Sequence, residues 1–238
     1  MSKPLFDIVL PCYNPAPGWA ERVASSYKEI SGDVGFNPGL ILVNDGSSSG
    51  ISEADYALLL EQLPIVVILD NQVNRGKGYT LRHGVNASTA TICIYTDIDF
   101  PYKKESFLEV LASLQDGADV VAGIKDASYY SHVPPARQRI SKLLRKMIRS
   151  FLRMNITDTQ CGLKGFNRAG REVFLKTTID RYLFDLEFLF LASRKKALKV
   201  KTVEVSLRDN VQFSTMKRSI LLTEGLNFLK VWWRSFFS

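Results

Sequence analysis

The sequence predicts an α/β fold with a mostly parallel central sheet and helices on both faces. Two observations predict it: short β-branched apolar runs alternate with helical segments, and polar loops follow the predicted strands. The 238 residues are 46% hydrophobic and 23% charged, which is the balance of an ordinary globular chain. The sequence shows no internal repeat and no low-complexity segment.

Five strands and four helices are predicted in the first 125 residues. The strands are residues 6–13, 40–43, 65–69, 91–95 and 120–124. The first predicted helix covers residues 19–30. A capping box at Ser52 and Asp55 begins the second helix, which ends near residue 63. The third helix begins near Gly78 and ends near residue 87, and the fourth covers residues 104–115. Ligands bind beyond the carboxyl ends of such strands, so the loops at 14–18, 44–50, 74–78 and 97–102 should gather at one edge.

Two carboxylates, Asp97 and Asp99, directly follow the predicted strand 91–95. Carboxylates that close repel each other unless a cation lies between them. One or two carboxylates together with substrate phosphates form the usual protein site for Mg²⁺. A solvated turn is the alternative, because Asp is common in turns. The pair is therefore a candidate metal site, and the rest of the sequence must decide between the two interpretations.

Charge and cysteine content restrict the possible partners and compartment. The net charge of +7 favours anionic partners such as nucleotides, nucleic acid or acidic lipid. The three cysteines form no Cys-x-x-Cys pair, so neither a disulfide framework nor a zinc site is indicated. The sequence begins without a signal-peptide apolar region, and no run of 18 apolar residues is present. We therefore expect a cytoplasmic protein.

A basic amphipathic helix is predicted at 137–153, within a stretch from Ala127 to Thr157 that has no Asp or Glu. Its cations are Arg137, Arg139, Lys142, Arg145, Lys146, Arg149 and Arg153. The tail at 219–238 is also aromatic and basic: Trp232, Trp233, Phe236 and Phe237, with Lys230 and Arg234. Both segments suit an anionic membrane surface. Packing against the protein body, or an oligomer contact for the tail, would produce the same pattern.

Five motifs occur in a fixed order: Leu10-Pro11-Cys12-Tyr13-Asn14, Val43-Asn44-Asp45-Gly46-Ser47, Asn74-Arg75-Gly76-Lys77-Gly78, Thr96-Asp97-Ile98-Asp99 and Asp158-Thr159-Gln160-Cys161-Gly162-Leu163-Lys164-Gly165-Phe166. Together they resemble family 2 glycosyltransferases, most closely the branch that loads sugars onto polyprenyl phosphates: dolichyl-phosphate glucosyltransferases and mannose synthases. Residues 181–189 and 203–205 also resemble the glucosyltransferase branch. The resemblance spans roughly residues 6–217. It implies a GT-A nucleotide-diphospho-sugar transferase fold, Mg²⁺ or Mn²⁺ as cofactor, and inversion at the anomeric carbon.

The resemblance also implies a nucleotide site made of Pro11, Tyr13, Asn14, Asp45, Asn74, Arg75, Gly76, Lys77 and Asp97. Asp97 is implied to lie near the ribose and the metal, with Asp99 as the direct ligand. Three departures from the family pattern bear on this site. Asn44 stands where many members have a second Asp, Pro15 replaces a Glu after Asn14, and Phe100-Pro101-Tyr102 replaces a segment that often carries a polar metal contact.

The resemblance implies that an acceptor or its phosphate is bound by Gln160, Cys161, Gly162, Arg208 and Lys217, and the basic helix adds Arg137. The segment before Lys217, Ser214-Thr215-Met216, departs from the usual Gly-x-Ser-Lys pattern. A phosphate acceptor is already anionic, whereas a hydroxyl acceptor needs a general base within hydrogen-bond reach. Asp158 or Glu187 could be that base, or could pair with Lys164, Arg181 or a helix end. The candidate catalytic residues are Asp97, Asp99, Asp158, Gln160 and Glu187.

Three hypotheses follow. The first is metal-dependent, inverting transfer of a hexose from a UDP-glucose-like or GDP-mannose-like donor to a polyprenyl phosphate, by a protein peripheral on the cytosolic face of the membrane. The basic helix and the loop 160–162 favour it. The second, which the lack of membrane spans favours, is a soluble transferase that adds sugar to a saccharide hydroxyl in glycan or polysaccharide synthesis. The third is a nucleotide- or nucleic-acid-binding module without catalysis, against which the acid pair argues.

We expect a single GT-A domain over residues 1–218. Its nucleotide-sugar half covers about 1–125 and its acceptor half about 126–218. An amphipathic aromatic helix follows at 219–238. On the first hypothesis the partners are the nucleotide-sugar donor, the lipid acceptor and a membrane surface, and nucleic acid is not a partner.

Overall fold

The computed structural model describes residues 4–125, 135–209 and 218–236. In these ranges seven strands form one sheet in the order β3-β2-β1-β4-β6-β5-β7, and β6 runs antiparallel to both of its neighbours. The strands are β1 (Phe6–Cys12), β2 (Gly39–Asn44), β3 (Val66–Asp70), β4 (Ile92–Tyr95), β5 (Val120–Lys125), β6 (Lys164–Phe166) and β7 (Val200–Val205). The other neighbouring pairs are parallel, so the predicted mostly parallel α/β sheet is confirmed.

The described helices lie on both sides of this sheet. They are α1 (Trp19–Val34), α2 (Glu53–Gln62), α3 (Lys77–Ala87), α4 (Lys104–Gln115), α5 (Pro135–Met147), α6 (Arg168–Phe174), α7 (Phe184–Arg194) and α8 (Arg218–Arg234). A π-helical segment, Ile148–Leu152, continues α5. Within the part of the chain that is described, no helix combines the length and the apolar character needed to cross a bilayer.

The predicted elements of the first 125 residues are all present, with ends shifted by a few residues. The predicted capping box forms: the Ser52 side chain accepts from Asp55 N, and the Asp55 carboxylate accepts from Ser52 N. Helix α1 continues beyond the predicted residue 30 and stops where Gly35 takes a left-handed conformation, with φ of 73°. The helix predicted at 137–153 begins at Pro135, and its last residues are π-helical, not α-helical.

Two hydrophobic cores cover the two faces of the sheet, and alternate residues of β1 face each of them. Ile8 and Leu10 lie in the core that α1, α2 and α4 cover. Val9 lies in the other core, which α3, α6, α7 and α8 cover. Strand β6 pairs with β4 and β5, and β7 pairs with β5. One sheet therefore includes strands from both predicted halves of the chain.

Helix α3 approaches the sheet closely at Gly84. A Cβ at this position would lie 2.6 Å from Val9 Cγ1 and 2.8 Å from Val43 Cγ2. The backbone of α3 therefore packs directly on β1 and β2. This contact fixes the position of the helix, whose first residue is Lys77, relative to the strand ends.

Replacing Gly84 with Ala should destabilise the fold by about 1–3 kcal/mol, because the added methyl overpacks the core. Gly32 provides a matched control, since it also lies in a helix but a Cβ there would meet nothing within 4 Å. Gly32→Ala should raise stability by about 0.5–1 kcal/mol through helix propensity. Urea denaturation of both variants measures the difference, and equal stabilities would contradict the packing of α3 described here.

Candidate active site

The acid pair lies in a tight turn directly after β4. The Phe100 N–H donates to Asp97 O at 3.0 Å, which closes a turn over residues 97–100. Phe100 adopts a left-handed backbone, with φ of 44°, although it is not glycine. Its ring is only 4% exposed, so core packing holds this strained conformation. The turn therefore sets where the two carboxylates stand, with Asp97 half-buried and Asp99 exposed.

Lys77 compensates one of the two acids. Its ammonium, in the first turn of α3, pairs with the Asp97 carboxylate. Burial alone would lower the pKa of Lys77, but the charges of Asp97 and Asp185 raise it above its usual value. Partial desolvation and then repulsion from Asp97 raise the pKa of Asp99. Among the residues described, Asp99 forms no ion pair, so it carries the uncompensated charge of the pair.

The chemistry of the acid pair fits a divalent cation whose other ligands come from the substrate. No group of three or more His, Cys, Asp or Glu side chains that could hold a metal occurs in the described ranges. Two carboxylates supply hard oxygen donors, and substrate phosphates and water complete such a set for Mg²⁺. A cation would also relieve the repulsion that raises the pKa of Asp99. Metal binding by Asp97 and Asp99 remains a prediction.

The predicted acceptor loop, residues 160–162, lies directly against Asp97. A Cβ at Gly162 would collide with Asp97 Oδ2, so glycine at this position lets the loop approach the acid without displacing its carboxylate. The Gly162 N–H donates to Tyr102 Oη at 2.8 Å. Cys161 is fully buried, so its side chain faces the core and not an acceptor. This burial also raises the pKa of its thiol. Gln160 is half-buried and is the member of the loop with a side chain near the surface.

Asp45, predicted to hold the nucleoside, is buried and bonded within the protein. Its carboxylate accepts from Asn71 Nδ2 at 3.0 Å, Arg75 N at 2.8 Å and Gly76 N at 2.9 Å. The carboxylate therefore fixes the segment 74–78 whether or not it also contacts a nucleotide. Replacing Asp45 would disturb this segment directly, so the substitution cannot be expected to leave the local structure intact.

The glycines of the segment 74–78 face protein backbone. A Cβ at Gly76 would lie 2.5 Å from Asp180 O, and one at Gly78 would collide with Ile179 O. The Gly78 N–H donates to Asp180 O at 2.7 Å. Close approach of residues 179–180 therefore accounts for both glycines without a ligand. The exposed residue beside them is Arg75, whose guanidinium lies 4.3 Å from the centre of the Tyr79 ring.

The remaining predicted nucleotide residues surround the ends of β1 and β2. The Asn14 N–H donates to Ser47 Oγ and its Oδ1 accepts from Ser48 N, each at 2.9 Å, which joins the two loops. Tyr13 is 51% exposed and could stack on a base. Pro11 is half-buried and Asn74 is exposed.

Both candidate general bases are held by internal partners. Asp158, 8% exposed, accepts from Lys125 N at 2.8 Å and Arg145 Nη2 at 3.0 Å. Burial alone would raise the pKa of Asp158, but these partners bring it below its usual value. Glu187, 1% exposed, accepts from the N–H groups of residues 178 and 179 and pairs with Arg234. Neither acid pairs with Lys164 or Arg181, the partners considered from the sequence.

Lys164 instead belongs to a buried cluster that was not predicted from the sequence. Its ammonium is fully buried and donates to Asp185 Oδ1 at 2.7 Å and to Cys161 O. Tyr95 Oη donates to the same Asp185 oxygen at 2.5 Å. Two features of the sequence could have indicated this buried pair: a lysine inside the apolar motif 161–166 and an aspartate inside the apolar run 183–190.

Of the predicted phosphate-binding residues Arg137, Arg208 and Lys217, the structure describes the side chain of Arg208. The Arg208 guanidinium donates to Glu29 Oε2 at 2.8 Å and to Tyr102 O at 3.2 Å, so it would have to leave Glu29 to bind a phosphate. The side chain of Arg137 and the whole of Lys217 lie outside the described residues.

Comparison with known proteins shows the family to which the chain belongs. The family described as Glycosyl transferase family 2 matches residues 7–174. A dolichyl-phosphate β-glucosyltransferase of Trichomonas vaginalis is 27% identical, with 94% of this chain and 69% of that protein aligned. The Dictyostelium discoideum dolichyl-phosphate β-glucosyltransferase is 25% identical, with 84% and 65% aligned. The chain thus spans about two thirds of the length of these curated relatives.

Solved structures share the fold at low sequence identity. Glucosyl-3-phosphoglycerate synthase from Mycobacterium tuberculosis, in complex with Mn²⁺, uridine diphosphate and phosphoglyceric acid, superposes with a TM-score of 0.67 at 15% identity, covering 98% of this chain and 78% of that one. For mannosyl-3-phosphoglycerate synthase from Rubrobacter xylanophilus the TM-score is 0.69 at 13% identity, with 97% and 73% covered. The predicted GT-A fold is confirmed.

Asp158→Asn should destabilise the protein by about 3 kcal/mol at pH 7, because it removes a buried carboxylate charge that Lys125 and the half-buried Arg145 face. The folded-state pKa of Asp158 is lowered, so its contribution is present above about pH 4 and is lost as pH falls through that lowered pKa. The stability difference between wild type and variant should therefore shrink below about pH 4. Denaturation at a series of pH values measures it. Asp33→Asn, in the exposed pair with Lys104, is the control and should show no comparable pH-dependent loss.

Proposed function

Because the chain belongs to glycosyl transferase family 2 and is a glycosyltransferase, we propose that it transfers a hexose from a nucleotide sugar to a polyprenyl phosphate. We propose that the transfer inverts the configuration of the anomeric carbon. The observation that carries the choice of acceptor is the state of Asp158 and Glu187. Both acids are bound by internal cations and N–H groups and are ill placed to deprotonate a hydroxyl. A phosphate acceptor arrives ionised and needs no general base.

The names of the curated relatives support the same acceptor class, since they are dolichyl-phosphate β-glucosyltransferases. A uridine nucleotide is the proposed donor, with a guanosine nucleotide as the second choice. The mycobacterial synthase was solved with Mn²⁺ and uridine diphosphate, and this combination is the first to assay.

The proposed roles follow from the positions of the side chains. Asp97 and Asp99 would hold a divalent cation, which neutralises charge on the leaving diphosphate. Lys77 lies beside Asp97 and can donate to the same diphosphate when its pair with Asp97 opens. Gln160, in the loop against Asp97, would contact the acceptor. Tyr13, Asn74 and Arg75 are exposed, so their side chains are available to the nucleotide.

We propose that α8 and the π-helical segment that follows α5 dock on an anionic membrane. One face of α8 packs in the core through Phe228 and Val231, so the packing interpretation holds for that face. Another face exposes four large apolar residues at helical spacing: Leu226, Leu229, Trp233 and Phe236, between 52% and 64% exposed. Phe151, 50% exposed, lies against the Trp232 ring with centroids 5.7 Å apart. The two segments therefore meet.

Exposed cations accompany this apolar stripe. Lys230 lies on α8, and Arg149 and Arg153 flank Phe151. Each cation near an anionic leaflet contributes about 1 kcal/mol. Helix α8 corresponds to the C-terminal helix expected at 219–238, and we propose that it is a docking element attached to a single GT-A domain at 1–218.

A panel of nucleotide sugars incubated with membrane lipid extract tests the proposed reaction. We expect nucleoside diphosphate release that depends on the extract, with a uridine nucleotide sugar as the best donor and a glycosylated polyprenyl phosphate as the product. Mass spectrometry of the lipid fraction identifies the product. Transfer to a soluble saccharide, with none to lipid, would favour the alternative function.

Asp99→Asn should lower turnover by at least about 100-fold, because losing a metal ligand removes several kcal/mol of transition-state stabilisation. The wild-type enzyme should lose activity in excess chelator and regain it with Mg²⁺ or Mn²⁺. Asp116→Asn, an exposed acid in the turn after α4, is the control and should behave like wild type. Undiminished turnover of the Asp99 variant in excess chelator would remove the acid pair from metal binding.

Leu229→Ser should weaken binding to anionic vesicles about tenfold, because one leucine side chain no longer enters the bilayer interface. Leu60→Ser is the matched control, since Leu60 is 59% exposed on α2 whereas Leu229 is 52% exposed on α8. Vesicle co-sedimentation at low and high salt measures both variants, and high salt should release part of the wild-type protein. Wild-type protein that ignores anionic vesicles at low salt would rule out docking through this surface.

A further inference from the structure

A fully buried polar cluster joins three elements beneath the acid pair. Tyr95 ends β4, Lys164 begins β6 and Asp185 lies in the first turn of α7. Tyr95 and Lys164 are 0% exposed and Asp185 is 4% exposed. Both of the other side chains donate to Asp185 Oδ1, at 2.5 Å from Tyr95 Oη and 2.7 Å from Lys164 Nζ. Burial of this kind excludes direct contact with a substrate.

The cluster is bonded to the acceptor loop and lies next to the acid pair in the chain. The Lys164 ammonium also donates to Cys161 O, one residue before the Gly162 that packs on Asp97. Tyr95 stands two residues before Asp97. Asp185 also acts electrostatically on Lys77, the residue that pairs with Asp97. Its contacts therefore reach both the donor side and the acceptor side of the site.

Stability alone does not account for charges at this position. Aromatic rings surround Tyr95, with centroids 5.6 Å away for Phe174 and 6.1 Å away for Phe184. Apolar residues of similar volume in place of a buried ion pair are often neutral or stabilising. The charged pair supplies a directional link, through hydrogen bonds, from the carbonyl of Cys161 to the end of β4.

We propose that Lys164, Asp185 and Tyr95 are positioning residues that hold the loop 160–162 against Asp97 and thereby align the acceptor with the bound donor. The inference rests on the proposed function, because it concerns the acceptor side of the same reaction. Misalignment of reactants slows the chemical step strongly even when each is still bound. Loosening the cluster while keeping the Asp185 charge should therefore lower kcat for transfer and leave donor affinity nearly unchanged.

The test uses variants that separate alignment from stability. Lys164→Met combined with Asp185→Leu replaces both charges at once, which avoids an unpaired buried charge. Tyr95→Phe removes one hydroxyl from the cluster and is the milder second variant. Tyr27→Phe is its matched control, because Tyr27, in α1, is 1% exposed and its hydroxyl donates one hydrogen bond, to Pro38 O at 2.7 Å.

We expect kcat for transfer to fall about 100-fold in the double variant and about tenfold in Tyr95→Phe. Nucleoside diphosphate affinity by calorimetry should stay within about twofold in Tyr95→Phe, which keeps the Asp185 charge that acts on Lys77. Amide hydrogen exchange of residues 158–163 should accelerate in both variants relative to the rest of the chain. Tyr27→Phe should keep the wild-type kcat and the wild-type exchange in this loop.

Wild-type kcat and wild-type loop exchange in both cluster variants would overturn the inference and leave the cluster as part of the core. Failure of the proposed function has a different signature, because wild-type enzyme would then form no glycosylated polyprenyl phosphate. The exchange measurement needs no acceptor, so unchanged loop exchange in Tyr95→Phe and in the double variant overturns the positioning role in that case too.

Discussion

The close packing around Asp97 is the constraint on which the rest of the site depends. The Lys77 ammonium pairs with its carboxylate, and any side chain at position 162 would displace that carboxylate. Helix α3, which carries Lys77, is fixed by the contact of Gly84 with the sheet. One residue at the end of β4 thus links the nucleotide side of the chain to the acceptor loop, although the two are far apart in sequence.

The acidic residues have different roles because they contact different groups in the protein. Asp45, Asp158 and Glu187 are buried and saturated by internal donors, so they hold loops and helices together. Asp99 is exposed, and its pKa is raised by partial desolvation and by the neighbouring Asp97. The charge that needs a ligand is therefore concentrated at the acid pair. An acceptor that carries its own negative charge fits a site whose two described candidate bases, Asp158 and Glu187, are held by internal partners.

The sequence predicted the elements of the first 125 residues because strand runs and caps are local signals, such as the box at Ser52. It also predicted that the motifs converge on one edge of the sheet. It could not predict that the glycines at 76 and 78 face residues 179–180, or that Lys164 pairs with Asp185. Such contacts join segments about 20 to 100 residues apart and depend on tertiary packing.

The proposed reaction requires an acceptor that brings its own negative charge. Purified enzyme, donor and metal can be offered either a polyprenyl phosphate or the polyprenol with the same chain. We expect transfer to the phosphate and no transfer to the alcohol. The pH dependence of the transfer rate should follow only the second ionisation of a phosphate monoester, near pH 6. Glycosylation of the alcohol at a comparable rate would show that the protein supplies a general base and would contradict the account.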